Sequence, residues 1–487
     1  ILLSSMYQHA AGTLGRVLFA YTGTFAVGGT LLNTLHKKDQ SCNEEEIEML
    51  YYNNAEIEME RQKRITKFSK EDPLKIYFNA LHRNFDLVLK PISPNSSPFH
   101  RDLSIIEDGV PHEIYPHHFI YEGHVEGDQN SRVFGSLIDG IFDGRIHISD
   151  GDAYTVDKYV KHLRGAHKDE DDEEAHSLIR KDMFITQLDK MDNVQDALKL
   201  QLVGQNSKLG FDLKSLANSL FSRFNNTPNI ETKTCTLHLK VDHNLYKEIR
   251  GKEGVNDPER TREEIVSMLY ILVRGVNEIY KNVNFKNKRI RFAVKQISIE
   301  TEDFENSEQR YKKYLGKLDL KGLLDIHSRS DQSAFCLSYL FTSVKEGSTV
   351  GAANSPELRF GIHRGGLCSE ISHFYYHDHW WQVAPNIGAI TMCHPTNGHR
   401  LPIRKTQITL AHELGHSLGA LHDDEKEDWK GDHLMTPTDN IYETKNSSKF
   451  SRQSIEQISA VLDALESYET YDPSWKTLHR FKKNCLE

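Results

Sequence analysis

Residues 412–422 read His-Glu-Leu-Gly-His-Ser-Leu-Gly-Ala-Leu-His. His412 and His416 are four apart, so on an α-helix, at about 100° per residue, their imidazoles share one face and can reach a single ion. Glu413 stands beside the first of them, where a carboxylate can hold a water and take its proton. His422 lies six residues past His416, some 240° round an unbroken helix at about 100° per residue, and so would face away. The helix must therefore stop between the two. Gly419 supplies the stop, because glycine takes φ > 0 without penalty and can turn the chain back. Three neutral imidazoles with one position left open are the ligand set of a hydrolytic zinc site, whereas a fourth protein ligand would make a structural one. The pattern assigns His412, His416 and His422 as zinc ligands and Glu413 as the catalytic base.

Other candidates carry less. Met435 lies 13 residues beyond His422 in Gly-Asp-His-Leu-Met-Thr-Pro (431–437); alone, such a methionine reads as core. His373, His377 and His379 in HFYYHDHWW (373–381) offer a second metal site or, better, an aromatic rim loop, since no helix or strand period fixes them. His117 and His118 open a strand and read as surface residues. KDEDDEE (168–174) cannot pack and reads as a flexible connection or surface loop.

The elements that must position the site follow from periodicity. CTLHLKVDH (235–243) puts Leu237, Leu239 and Val241 on one side of a strand. Ile265, Met268, Leu269, Leu272, Val273, Val276 and Ile279 follow helical spacing, with Pro258 and Glu259 suiting the helix start. RIRFAVKQISIE (289–300) and AFCLSYLFTSV (334–344) read as buried strands, and Ile455, Ile458, Val461, Leu462 and Leu465 give a last amphipathic helix. From Leu74 to about Tyr159 the text is β, with alternation at Phe85, Leu87 and Leu89 and short runs separated by Gly or Asp-Gly turns. It reads as an independent all-β module ahead of an α/β domain.

The chain has 487 residues, with 60 Lys or Arg against 70 Asp or Glu and a net charge of −10, so nucleic acid is not an expected partner. At roughly 100 to 200 residues per domain it holds two or three domains. Cys42, Cys235, Cys336, Cys368, Cys393 and Cys485 are too scattered for a CxxC site, which leaves long-range disulfides. Oxidation needs a secretory compartment, and the sequons at Asn95, Asn225 and Asn446 are compatible with one. Val17–Leu32 is an apolar run after Arg16, short for a span of roughly 20 residues, and reads as a signal-peptide core before it reads as an uncleaved anchor. The expected segments are 1–40, signal peptide or anchor; 41–72, a charged linker in which Arg61-Gln62-Lys63-Arg64 is a processing site or a solvated helix face; 73–231, a β domain with an acidic linker; and 232–487, the catalytic domain.

HELGHSLGALHD (412–423) with Met435 resembles the metzincin zinc proteases, in which a methionine turn lies beneath the three histidines; Asp423 after the third His marks the ADAM branch. TCTLHLKVDHNLYK (234–247), FCLSYLFT (335–342), GGLCSE (365–370) and NIGAITM (386–392) resemble the kuzbanian-type ADAMs, the alpha-secretase and Notch sheddase group. YEGHVEGDQNSRVFGSLIDGIFDGRIHISDG (121–151) resembles the propeptide of that family, and the likeness runs from about Leu74 to Cys485. It implies a zinc endopeptidase whose α/β metzincin domain, a mixed twisted sheet with a zinc-binding helix, follows a mainly β propeptide. It also implies disulfides Cys235–Cys336 and Cys368–Cys485, with Cys42 and Cys393 unassigned and the family's third catalytic-domain pair missing both halves. Substrate would lie along an edge strand through Ser348 to Ala353, with Thr436 and Pro437 walling the pocket after the scissile bond. Substrates would be juxtamembrane segments of cell-surface proteins, and the location the secretory pathway, cell surface or extracellular space, with membrane association by resemblance only. Two features depart from the family: no cysteine lies between Cys42 and Cys235, and residues 207–233 contain no R-x-K/R-R. The chain stops at Glu487 ahead of disintegrin and transmembrane segments, as a fragment or a short secreted form would. The rival readings are a soluble secreted protease of extracellular proteins and a non-catalytic zinc-stabilised interaction module; Glu413 argues against the latter, since a structural site has no use for a carboxylate beside the ion.

Overall fold

The computed structural model describes residues 47–67, 73–158, 161, 177–182, 230–302, 319–345, 347, 349–356, 365–376, 379–394, 398–423, 433–437, 446–469 and 485–487. The apolar run 17–32 and the acidic run 168–174 lie outside them. Among the described residues no helix is long and apolar enough to cross a membrane. Residues 45–487 form one compact unit.

The chain enters through β1 (Ile47–Leu50) and α1 (Asn54–Lys67). Among the described residues eight strands fall in the region read as β, β2 (Leu74–Ala80), β3 (Arg83–Pro91), β4 (Phe99–Glu107), β5 (Val110–His112), β6 (Ile120–Val125), β7 (Asp128–Ile138), β8 (Ile141–His147) and β9 (Ala153–Lys158), and with β1 before them and β10 (Ser177–Lys181) after them they make ten. Eight of them make an antiparallel sheet in the order β1-β10-β9-β8-β7-β6-β3-β2. β2 shows why: its burial alternates strictly, with Leu74, Ile76, Phe78 and Ala80 inward. Asp139-Gly140 turns β7 into β8 with φ > 0 at both residues, the twist a tight hairpin needs.

The remaining two strands go elsewhere. The hairpin β4–β5 joins the second sheet, where β4 runs parallel to β12 (Lys288–Ile299). So the β region is not an independent module: part of it completes the sheet of the following domain. The cause is apolar continuity. Phe119, Ile120, Phe134 and Ile138 belong to the same buried core as Leu237, Leu269 and Leu414, and Phe99 packs on Tyr270 with ring centroids 5.9 Å apart.

That second sheet has the order β14-β17-β13-β11-β12-β4-β5, built from β11 (Glu231–Val241), β12, β13 (Leu337–Thr342), β14 (Gly351–Ala353) and β17 (Ile387–Thr391) besides the hairpin. The run from β17 to β4 is parallel, while β14 is antiparallel to β17 and ends the sheet. Helices α2 (His243–Lys252), α3 (Pro258–Tyr280), α4 (Leu320–His327), α5 (Ile403–Ser417) and α6 (Arg452–Glu469) complete the mixed α/β architecture. α3 starts where the sequence says: Asp257 accepts from the Arg260 amide at 2.7 Å, with Pro258 in the first turn. β15 (Ser372–Tyr376) and β16 (His379–Val383) form a separate two-stranded sheet.

Candidate metal centre

α5 carries the first half of the motif and α3 holds it in place. Tyr280 at the end of α3 donates to the Ala411 carbonyl at 2.9 Å, and Gln407 Nε2 donates to the Ile271 carbonyl at 2.9 Å. Gln407 can come so close because Gly275 has no side chain: a Cβ there would sit 2.2 Å from its Nε2. α5 ends at Ser417 with Leu418 as its cap, and Gly419 follows with φ +107, its amide donating to the His416 carbonyl at 2.9 Å. This is the expected stop, and it brings His422 back.

The three imidazoles converge. Ring centroids are 4.7 Å apart for His412–His416 and for His416–His422, and 5.3 Å for His412–His422. His412 Nδ1 lies 2.6 Å from the Leu434 carbonyl and His416 Nδ1 lies 2.7 Å from the Ala420 carbonyl. A carbonyl only accepts, so each Nδ1 carries the proton and each Nε2 presents a lone pair. His412 Nε2 is 3.3 Å from His422 Nε2. Two tetrahedral donors at roughly 2.0–2.1 Å from one zinc ion stand about 3.3–3.4 Å apart, so the pair is spaced as ligands of one ion. One donor atom from each of the three lies within 4.8 Å of the others. Burial pushes the His412 imidazole down to about 3 and that of His416 to about 4, so both are neutral at physiological pH, as metal ligation needs. Burial also pushes the buried Glu413 carboxyl up to about 8.

Met435 is fully buried beneath the helix: a Cβ on Gly415 would lie 2.6 Å from its Sδ. The same segment supplies the Leu434 carbonyl to His412, so the methionine turn holds the first ligand as well as filling space. Behind His422, the Asp423 amide donates to the Met435 carbonyl at 3.0 Å, and Asp423 Oδ1 accepts from Ser451 at 2.5 Å and Ser454 at 2.8 Å. The returning loop is thereby tied to the start of α6.

The secondary candidates resolve differently. His373 and His379 fall on β15 and β16, so HFYYHDHWW makes a hairpin in place of the expected rim loop, with Phe374 opposite Trp381 and Tyr375 opposite Trp380; His377 lies outside the described residues. His117 and His118 end a 3₁₀ turn (Pro116–His118) just before β6 instead of opening the strand, because Pro116 seeds the turn. Arg61 sits inside α1, 5% exposed, and donates to Glu58 and to the His118 carbonyl at 2.8 Å. So 61–64 is helical, but the face is not wholly solvated: Arg61 is buried by its pairing with Glu58 and the His118 carbonyl. Ser348 lies outside the described residues; Ala353 closes the terminal strand. Cys235–Cys336 and Cys368–Cys485 are both formed, closing separations of 101 and 117 residues. Cys393 is free and buried, its thiol pushed up to about 11, chiefly by burial. Cys42 lies outside the described residues. The sequence reading missed the two carbonyls that orient His412 and His416, since main-chain acceptors leave no residue signature.

A largely parallel sheet with the antiparallel strand β14 at the edge beside the site, a helix bearing two histidines, a glycine turn to the third and a methionine turn beneath define a zinc metallopeptidase domain of the metzincin type. Residues 231–457 match the model of metallo-peptidase family M12. The chain is 32% identical over 455 residues to a Caenorhabditis elegans disintegrin and metalloproteinase domain-containing protein 10 homolog, covering 86% of this chain and 48% of that one. It is 26% identical over 456 residues to the Homo sapiens disintegrin and metalloproteinase domain-containing protein 10, covering 85% and 55%. Over 210 residues it is 25% identical to a Caenorhabditis elegans disintegrin and metalloproteinase domain-containing protein 17 homolog, covering 40% and 29%. The chain belongs to the ADAM family, in its kuzbanian-type branch. It spans about half the length of the first two relatives. The two disulfides fit an oxidising, extracellular setting.

Proposed function

We propose that this chain is the precursor of a zinc endopeptidase that cleaves juxtamembrane segments of cell-surface proteins, with 73–231 acting as propeptide and 232–487 as catalytic domain. The observation that carries the reading is the convergence of the His412, His416 and His422 nitrogens, with the Nδ1 protons of the first two already committed to carbonyls. These three residues would hold the ion. Zinc, when bound, supplies Lewis acidity to a water and to the scissile carbonyl. The chain's own residues do the rest. Substrate adds antiparallel to the free side of β14, its backbone fixed by the strand. Glu413, beside that strand, takes the proton of the attacking water and returns it to the leaving amine nitrogen. Thr436 and Pro437 wall the pocket that follows the scissile bond. The sheddase role is supported by the likeness to the protein 10 relatives; a secreted protease of extracellular proteins is the alternative.

Metal analysis and peptide hydrolysis test this together. Wild-type protein should hold about one zinc per chain, and His416→Ala should lose it. Glu413→Gln should keep zinc and lose several orders of magnitude in turnover, because the base goes while the ligands stay. Stoichiometric zinc in His416→Ala would sink the ligand assignment; unchanged turnover in zinc-loaded Glu413→Gln would sink the mechanism.

A further inference from the structure

Glu413 presents a question that its role leaves open: what fixes its carboxylate? Among the described residues no hydrogen-bond donor reaches it, so packing sets its position. The packing partner is the terminal strand. A Cβ on Gly351 would lie 2.5 Å from Glu413 Oε1, 2.7 Å from Cγ and 2.9 Å from Cδ. The Gly351 backbone lies outside the left-handed region, so its φ alone would not bar an L side chain. The strand is in register with β17, Gly351 opposite Ile390 and Ala352 opposite Ala389, and both following positions carry a Cβ. Only the residue over the carboxylate lacks one.

We propose that Gly351 is a positioning residue for Glu413: the bare Cα in the edge strand sets where the carboxylate rests, between the strand that receives substrate and the helix that bears the ligands. The proposal rests on Glu413 being the base. The physical consequence is a separation of stability from turnover. Restoring ordinary contact, about 3.5 Å between heavy atoms, requires the carboxylate to move by roughly 1 Å. The three nearest atoms all belong to the Glu413 side chain and none to the backbone, so turning that side chain relieves the contact without moving strand or helix. A reacting group displaced by about 1 Å can lose 10²-fold in rate.

The test is a double-mutant cycle on the full chain, assayed with a quenched peptide after proteolytic nicking between Asp182 and Ile230. Gly351→Ala should lower kcat about 30- to 100-fold, leave KM within about twofold, and keep zinc content and unfolding midpoint near wild type. Glu413→Ala removes Cγ and the carboxylate together; adding Gly351→Ala to it should then cost less than about threefold of the residual turnover, a strongly non-additive cycle. A Gly351→Ala enzyme with kcat within twofold of wild type, or an additive cycle, overturns the positioning role while leaving the base in place. Full turnover in zinc-loaded Glu413→Gln removes the base reading and this proposal with it. Should Gly351→Ala alone fail to fold, Gly351→Ala/Glu413→Ala must fold with wild-type zinc content; an unfolded double variant overturns the steric pairing.

Discussion

The first ligand histidine is held by something the motif does not contain. The proton on His412 Nδ1 goes to the Leu434 carbonyl, and that carbonyl is located by Met435, whose thioether lies against Gly415 between the two helical ligands. The glycine in the middle of the motif is thus the floor contact for the methionine turn. Gly415→Ala would drive a methyl to 2.6 Å from Met435 Sδ and 3.2 Å from Phe450. Met435 is wholly buried and belongs to the turn itself, so the turn must shift and take the Leu434 carbonyl with it. The expected result is a loss of about 1–3 kcal/mol in stability from overpacking and a 10- to 100-fold loss of zinc affinity from the disturbed acceptor. Chelator competition and denaturant unfolding measure the two separately; unaltered zinc affinity would uncouple the turn from the ligand.

At the scale of elements, the strands beneath the site carry a pH liability of their own. His238 on β11 bridges Ser338 on β13 at 2.9 Å and Ser298 on β12 at 2.8 Å, with Gln332 at 2.8 Å, Phe335 stacked on its ring and Lys240 on the same strand. His327 on α4 reaches the same Ser338 at 2.8 Å. Burial lowers His238 to about 4 and holds His327 well below its ordinary value. A depressed histidine pKa means that the unfolded chain takes up a proton below about 6.5 that the folded chain refuses. Stability is therefore lost as pH falls from about 6.5 towards 4, at up to about 1.4 kcal/mol per pH unit per histidine. His238→Gln should flatten that slope by about one histidine's share between pH 7 and 5, read from urea midpoints; an unchanged slope would mean His238 is not charged on unfolding. His238 also shows what sequence can and cannot reveal. β11 was legible from Leu237, Leu239 and Val241, and α3 and the zinc motif from helical spacing, because those signals are local. The β15–β16 hairpin was not, since Phe374, Tyr375, Tyr376, Trp380 and Trp381 are aromatic on both faces and show no two-residue alternation. The destination of β4 was not either. Asp108-Gly109 announces its hairpin turn, yet the choice of β12 as neighbour depends on a core assembled from residues more than a hundred positions away.

Across the whole molecule, the propeptide is attached to the catalytic domain in two ways, and latency should reflect both. The hairpin β4–β5 covers the β12 edge, with Arg262 paired to Glu107 at 2.9 Å and the Asp108 amide donating to the Ile299 carbonyl at 3.0 Å. Across α3 and the first turns of α5, Arg132 pairs with Glu278, Glu122 receives Tyr270 and Arg274, Lys158 meets Glu264, and Arg145 donates to Gln407. These described contacts fall on helix flanks and a sheet edge. A chain synthesised from Thr232 onward would leave β12 as an open edge and split the core shared with Phe119, Ile120, Phe134 and Ile138, which invites association through the exposed strand. The same catalytic portion cut from an already folded chain has formed its sheet and core against the partner before the cut lets that partner go. No cysteine lies between Cys42 and Cys235, so a propeptide bound through side chains and strand hydrogen bonds should not respond to thiol chemistry. We expect an organomercurial to leave hydrolysis of a quenched peptide by the full chain unchanged, nicking between Asp182 and Ile230 to raise it, and the chain begun at Thr232 to be recovered with less soluble, active protein than the nicked form yields. Activation by the mercurial without chain cleavage would identify a cysteine, Cys42 first, as the switch. Equal recovery and activity of the chain begun at Thr232 would show that the β4–β5 hairpin is dispensable for forming the catalytic sheet.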